Sequence, residues 1–404
     1  MEYREDHEFW ARLSHFGARF FAVPDVLTTL RLHSGNNELN FKQGDEVWRK
    51  RLETEFRRKG VIPKKIVYLM AGLGIGGGNI VIAQHARILA EAGHDVTIVS
   101  LGIDQSVPDW LQSYKVPVVF MSEPSSRDKL ERIDILFATF WTTYFDLPTF
   151  QAKHQVYLVQ SDERLFDANN VSKVEETVRG MNSFVTISGW LVDLLKSEYS
   201  KTEIYHVPNG VDGSIFFPAE TSDARSFKGG IFSKRKDRPR ILIEGNFGSP
   251  LKGIAEAFAA LEPLDVDILF ATNSTDVQSL GRAEVYNNLS ATDMADLYRR
   301  CDIMLKMSKV ESFCLPALEA MACGCAVVVA EPAGNIEFLE HERNSLVVSS
   351  PSDIEGARAA VSKLIADRKL RNSLIAGGLK TAQQHSLDKT RLALLEAIDE
   401  LVEG

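Results

Sequence analysis

Two stretches of this 404-residue chain alternate short apolar runs with amphipathic segments, and that repeat restricts the fold more than any other feature. The first opens at Lys65-Ile-Val-Tyr-Leu-Met70, short enough for a strand and apolar enough to be buried on both faces. A glycine-rich loop, a helical pattern over 80–92 and a strand-like run over 96–100 follow, the order of a parallel pair joined by a crossover. Strand-like runs at 117–121, 133–138, 155–159, 183–187 and 203–207 continue the series, with helical patterns at 174–181 and 189–197. The second stretch opens at Arg240-Ile-Leu-Ile-Glu244 and passes through a strand at 266–270, a helix at 291–300 and strands at 302–307 and 326–330. The expected fold class is α/β, two doubly wound Rossmann-like domains facing a cleft. The expected divisions are 1–60 as a preceding segment and helical connector, 61–235 as the first domain and 236–404 as the second.

Between the last two strands stands Glu311-Ser-Phe-Cys-Leu-Pro-Ala-Leu-Glu319, an acidic residue at each end of a strand-to-helix turn. Pro316 suits the first helical position, which places Glu319 in the first turn of a helix ending near Gly324. Free amides at such a helix start can hold a diphosphate, while Glu319 can accept from ribose hydroxyls and Glu311 from a sugar hydroxyl. In the first domain, Gly72, Gly74 and Gly77 fit a G-x-G-x-x-G loop, which can bring backbone amides against a phosphate. A dinucleotide-binding reading also needs an acid at the end of the next strand; Ser100 and Leu101 stand there and Asp104 comes late, which argues against it.

A net charge of −9 argues against a protein that coats nucleic acid, although Lys228 to Arg240 forms a basic cluster. That cluster reads as a solvated linker, with contact to anionic lipid headgroups, and so a peripheral membrane association, as the second possibility. No apolar run reaches bilayer-spanning length and the first residues lack a signal-peptide pattern, so the expected compartment is the cytoplasm. Cys301, Cys314, Cys323 and Cys325 have no C-x-x-C spacing and read as core residues, so no metal is expected.

The E-x7-E pattern resembles the donor-site signature of the GT4 family of retaining glycosyltransferases (glycosyl transferases group 1). The likeness continues through Glu319-Ala-Met-Ala-Cys-Gly324, Ala333-Gly334-Asn335 and Asn344-Ser-Leu-Val-Val348. It implies the GT-B architecture and a nucleotide-sugar donor (UDP, GDP, dTDP or ADP), with no further cofactor. By resemblance, Glu311 contacts the donor sugar, Glu319 the ribose, and the backbone of Ser312, Phe313, Cys314 and Leu315 the diphosphate. Lys252 neutralises the departing phosphate, and Gly76, Gly77 and Gly78 face the cleft near donor and acceptor. Asn246 stands where the family usually has an arginine, and no histidine follows the strands ending at Ala138 or Val159. Arg164 is a candidate to compensate, Trp141 and Tyr144 could stack on a sugar but read better as core, and Asp162 or Glu163 could bind a hydroxyl. His85 and His94 read as structural or solvent-facing. Residues 1–40 resemble the closing segment of a GT2-family, GT-A-type transferase, where Asp6 and His33 would hold the base and metal-side positions. Lacking that family's nucleotide-binding half, the segment is expected to be catalytically silent, a truncated or misassigned start or the remnant of a fusion. The expectation is a retaining transferase acting on a glycan or lipid-linked acceptor in surface-polysaccharide assembly. The alternative is a sugar-nucleotide-binding or scaffolding protein without turnover.

Overall fold

The structure is a computed structural model that describes residues 62–403 apart from 123–129, 220–237, 275, 276, 278, 332, 335 and 336. The readings of residues 1–60, of Asp6 and His33, of Asn335 and of most of the basic cluster lie outside the described residues.

Seven strands form the first sheet: β1 (Lys65–Met70), β2 (Asp95–Ser100), β3 (Val118–Phe120), β4 (Ile133–Ala138), β5 (Ala152–Val159), β6 (Ser183–Thr186) and β7 (Glu203–His206). Their order is β3-β2-β1-β4-β5-β6-β7, and every pairing is parallel. In the second sheet, β8 (Arg240–Glu244), β9 (Asp267–Thr272), β10 (Glu284–Asn287) and β11 (Ile303–Lys306) precede β13 (Ala326–Ala330) and β15 (Leu346–Val348). Their order is β10-β9-β8-β11-β13-β15, again all parallel. A separate parallel pair joins β12 (Val310–Glu311) to β14 (Ala333–Gly334). The central strands are apolar and buried because helices cover both faces.

Each sheet reverses its direction of growth at one point. The chain leaves β1 outward to β2 and β3, then returns to β4 on β1's other side; β8 and β11 are the corresponding pair in the second sheet. At such a reversal the connections after adjacent strands diverge, leaving a crevice at the strands' carboxyl ends. The glycine-rich loop follows β1 and the Glu311 segment follows β11.

The last helix, Leu387–Glu403, returns to the first domain. Val211 donates to His385 O at 2.8 Å, Leu387 donates back to Val211 O at 2.9 Å, and the Thr390 hydroxyl donates to Pro208 O at 2.8 Å. An ion pair between Arg391 and Glu91 fastens it to the helix Gly77–Glu91, and Leu394, Ala397 and Ile398 enter the larger apolar core.

Candidate functional site

At the reversal point of the second sheet, β8 and β11 end side by side on Glu244 and Lys306. Lys306 is only 2% exposed, in a strand otherwise made of Ile303, Met304 and Leu305. Its Nζ donates to Glu244 Oε2 at 2.7 Å and lies 3.4 Å from Glu311 Oε1. Lys252 Nζ donates to the same Glu311 oxygen at 2.9 Å. Two lysines therefore share one carboxylate oxygen. Burial opposes ionisation of Glu311, but Lys306 and Lys252 outweigh it and hold the carboxyl down at about 2. Burial likewise opposes the charge on Lys306, and Glu244 and Glu311 more than offset it.

Lys252 reaches Glu311 because its loop is pressed onto the end of β11. Gly253 has φ +61°, and a Cβ there would lie 1.8 Å from Met307 O, so only glycine fits. Lys309 N donates to Leu251 O at 2.8 Å and fixes the same approach. Asn246 is exposed, and its side-chain oxygen accepts from Gly248 N at 2.9 Å and from the Ser274 hydroxyl at 3.1 Å. That oxygen braces its own loop.

The helix Leu315–Ala322 begins one residue before Pro316, which puts Glu319 in its second turn, not the first. The shift comes from Cys314, which takes a left-handed conformation (φ 63°, ψ 50°) and turns the chain into the helix directly at Leu315. Ser312 to Leu315 thus form a sharp bend between Glu311 and the helix, and Phe313 and Cys314 bury their side chains. Backbone amides at a helix start lack partners within the helix. Half-buried Glu319 accepts from Tyr298 Oη at 3.2 Å; its burial, reinforced by Glu244, pushes the carboxyl up to about 8.

Opposite, Gly76 precedes the helix Gly77–Glu91, whose first residues are Gly77 and Gly78. A Cβ at Gly74, Gly76 or Gly77 would meet nothing within 4 Å, and none of these residues has a left-handed φ. Packing within the chain does not require glycine there. The loop is held by Asn79 Nδ2, which donates to Gly72 O and Gly74 O, and by Asp104, which accepts from Leu73 N at 3.0 Å and the Ser100 hydroxyl at 2.8 Å. Asp104 is thereby a brace for the loop.

Other sequence candidates in this domain turn inward or to one another. Asp162 and Glu198 engage the Arg164 guanidinium, which leaves no free fork to compensate for Asn246. Buried Glu163 accepts from Trp141 N and Tyr157 Oη, both at 2.8 Å, so it is a structural acceptor. Trp141, His85 and His94 are buried, and all four cysteines are buried and free. Among the described residues no cluster of His, Cys, Asp or Glu is arranged to hold a metal ion, and no helix is long and apolar enough to cross a membrane.

Near the crevice, hydrogen bonds cross from one half to the other. Trp190 Nε1 donates to Ser312 O at 2.9 Å, Gly189 N to Glu337 Oε2 at 2.9 Å, and Asn273 Nδ2 to Ile75 O at 3.1 Å. The first reaches the bend after Glu311, and the third reaches the glycine loop. Sequence reading missed Glu244, Lys306 and Trp190 as parts of this region. A lysine closing an apolar strand was the available signal for Lys306.

Residues 276–381 match the family model described as Glycosyl transferases group 1. The chain has the GT-B fold, and the match to that family model lies in its second half. The GT-B chain is 27% identical over 237 residues to a D-inositol 3-phosphate glycosyltransferase of Stackebrandtia nassauensis, covering 53% of this chain and 52% of that protein. It is 26% identical over 289 residues to the O-antigen biosynthesis protein RfbC of Myxococcus xanthus, covering 68% of this chain and 22% of that one. The matched region thus spans about half the length, or less, of these relatives. Anabaena HepE, solved in complex with UDP-glucose, superposes with a TM-score of 0.68 at 14% identity, covering 83% of this chain and 99% of that one.

Proposed function

We propose that this protein is a glycosyltransferase that moves a sugar from a nucleotide diphosphate to a hydroxyl of a glycan or lipid-linked acceptor, with retention at the anomeric carbon. The observation that carries this reading is the Glu311–Lys252 pair beside the Ser312–Leu315 bend, with a glycine loop after β1 that Asn273 ties to the same half and whose own packing does not require glycine. In the transfer the acceptor oxygen bonds to the anomeric carbon as the bond from that carbon to the diphosphate breaks; the electron pair of the broken bond goes to the phosphate oxygen, which takes up the acceptor's proton. Lys252 and the bend's amides stabilise that growing charge. Glu311 accepts from a sugar hydroxyl and orients the ring, and Glu319 holds the ribose. Similarity to RfbC supports a setting in surface-polysaccharide assembly.

Nucleotide release from a panel of UDP, GDP, dTDP and ADP sugars tests the reading, with Glu319→Ala expected to weaken nucleotide binding by about 0.5–1.5 kcal/mol through loss of a hydrogen bond from a carboxyl that burial keeps protonated. Unchanged affinity removes the ribose assignment. Asn246, committed to its own loop where the family carries an arginine, favours a second reading: binding of a nucleotide sugar without turnover. Under that reading the panel raises the melting temperature and no nucleotide is released with any acceptor.

A further inference from the structure

Lys306 is a charged side chain at the centre of a buried parallel sheet, and the proposed transfer does not use it directly. Removing an ammonium group from water costs several kcal/mol unless its protons are met, on the order that isolated buried ions show. Here they are met by Glu244 Oε2 at 2.7 Å, Glu244 O at 3.4 Å and Glu311 Oε1 at 3.4 Å. The side chain is 1% exposed, against 26% for Lys252. The two cations on the Glu311 oxygen therefore differ in freedom. Lys252, at the end of a short 3-10 turn and open to the crevice, can swing away, whereas Lys306 is enclosed by its own strand and by β8.

We infer that Lys306 is a positioning residue, which keeps Glu311 anchored when Lys252 leaves it for the donor diphosphate. The inference rests on the transfer reading above. Without Lys306, the Glu311 carboxylate would have Lys252 as its sole close cation among the described residues, and a diphosphate would have to compete for it. With Lys306 in place, Lys252 moves to the phosphate while Glu311 stays fixed, one oxygen on Lys306 and the other turned to the sugar. Burial opposes ionisation of Glu311, and both Lys306 and Lys252 act against it, so a cation remains on Glu311 when Lys252 moves.

A bland account has Lys306 merely neutralising Glu244 within the sheet, and a paired variant separates the two. Lys306→Met alone leaves Glu244 buried beside an apolar chain and endangers folding. Lys306→Met combined with Glu244→Gln removes both charges together, and Glu244→Gln alone is the reference. With the panel sugar that the wild type turns over fastest, the double variant should lose about tenfold or more in kcat against the reference. The acidic limb of its pH–kcat profile should move upward, because Glu311 has lost its permanent counter-ion. Equal kcat and an unmoved limb overturn the inference and leave the transfer reading standing. A wild type that binds and turns over no panel sugar overturns both. If the double variant does not fold, the wild type crystallised with the bound nucleoside diphosphate decides. Lys252 Nζ is expected on a phosphate oxygen with Lys306 Nζ still on Glu311; Lys252 remaining on Glu311, or Lys306 turned to the phosphate, contradicts the inference.

Discussion

Glu311 and Glu319 sit one bend apart, yet their surroundings push their carboxyls in opposite directions. Two lysines hold Glu311 down at about 2, so its ion-pair stabilisation is present above the ordinary carboxylate value of 4.5 and is lost only as pH falls toward 2. Burial raises Glu319 to about 8, so the folded protein favours its protonated form. That preference is fully present below 4.5 and is lost as pH rises through 8. Wild-type melting temperature should therefore fall relative to Glu319→Gln between mildly acidic and mildly alkaline pH, and parallel curves in a thermal scan would show that the Glu319 carboxyl is solvated. Carboxylates in a motif are legible because their spacing along the chain is visible. Lys306 was not legible as a site residue, because its partners are a neighbouring strand's last residue and a segment beyond its own strand's end.

At the scale of elements, β1, β4, β8, β13 and the helix Ala291–Arg300 are found with the bounds that their sequence patterns indicate. Short apolar runs ended by polar residues fix a buried parallel strand closely. The sequence patterns assign no helix at Ile254–Leu261, Ile354–Ala366 or Arg368–Gln384, although Gly253 and Pro263 bracket the first and Asp353 and Asp367 cap the other two. Misplacing Glu319 by a turn has a local origin: proline marks the start of a helix to within a residue, and the left-handed Cys314 that settled it leaves no mark in sequence. Gly253 tests how the Lys252 loop is built. Gly253→Ala puts a methyl group against Met307 O and should cost about 2 kcal/mol or more, read as a lower urea midpoint. It should also weaken nucleotide binding, because the displaced loop would carry Lys252 away from the bend. An unchanged midpoint would mean that the loop yields freely.

Across the whole molecule, the last helix ties the second domain back to the first, and its apolar face belongs to the larger core cluster, which also includes Phe313 and Leu318 beside the bend. Leu394 is fully buried there, so Leu394→Ala should cost about 2–5 kcal/mol of stability by denaturant titration. A cost well under 1 kcal/mol, the ~0.5 typical of surface positions, would mean that the helix is not docked. Two domains were legible from two restarts of the strand–helix alternation. Their meeting through Trp190, Gly189 and Asn273 was not, since single hydrogen bonds between distant segments carry no periodic signal. The central claim is that the crevice between the glycine loop and the Ser312–Leu315 bend takes an activated sugar, and electron density from crystals soaked with UDP, GDP, dTDP and ADP sugars tests it most directly. The expected result is a diphosphate against the bend and Lys252, the sugar on Glu311 and the ribose on Glu319. Density lying outside that crevice, or a ribose turned away from Glu319, would contradict it.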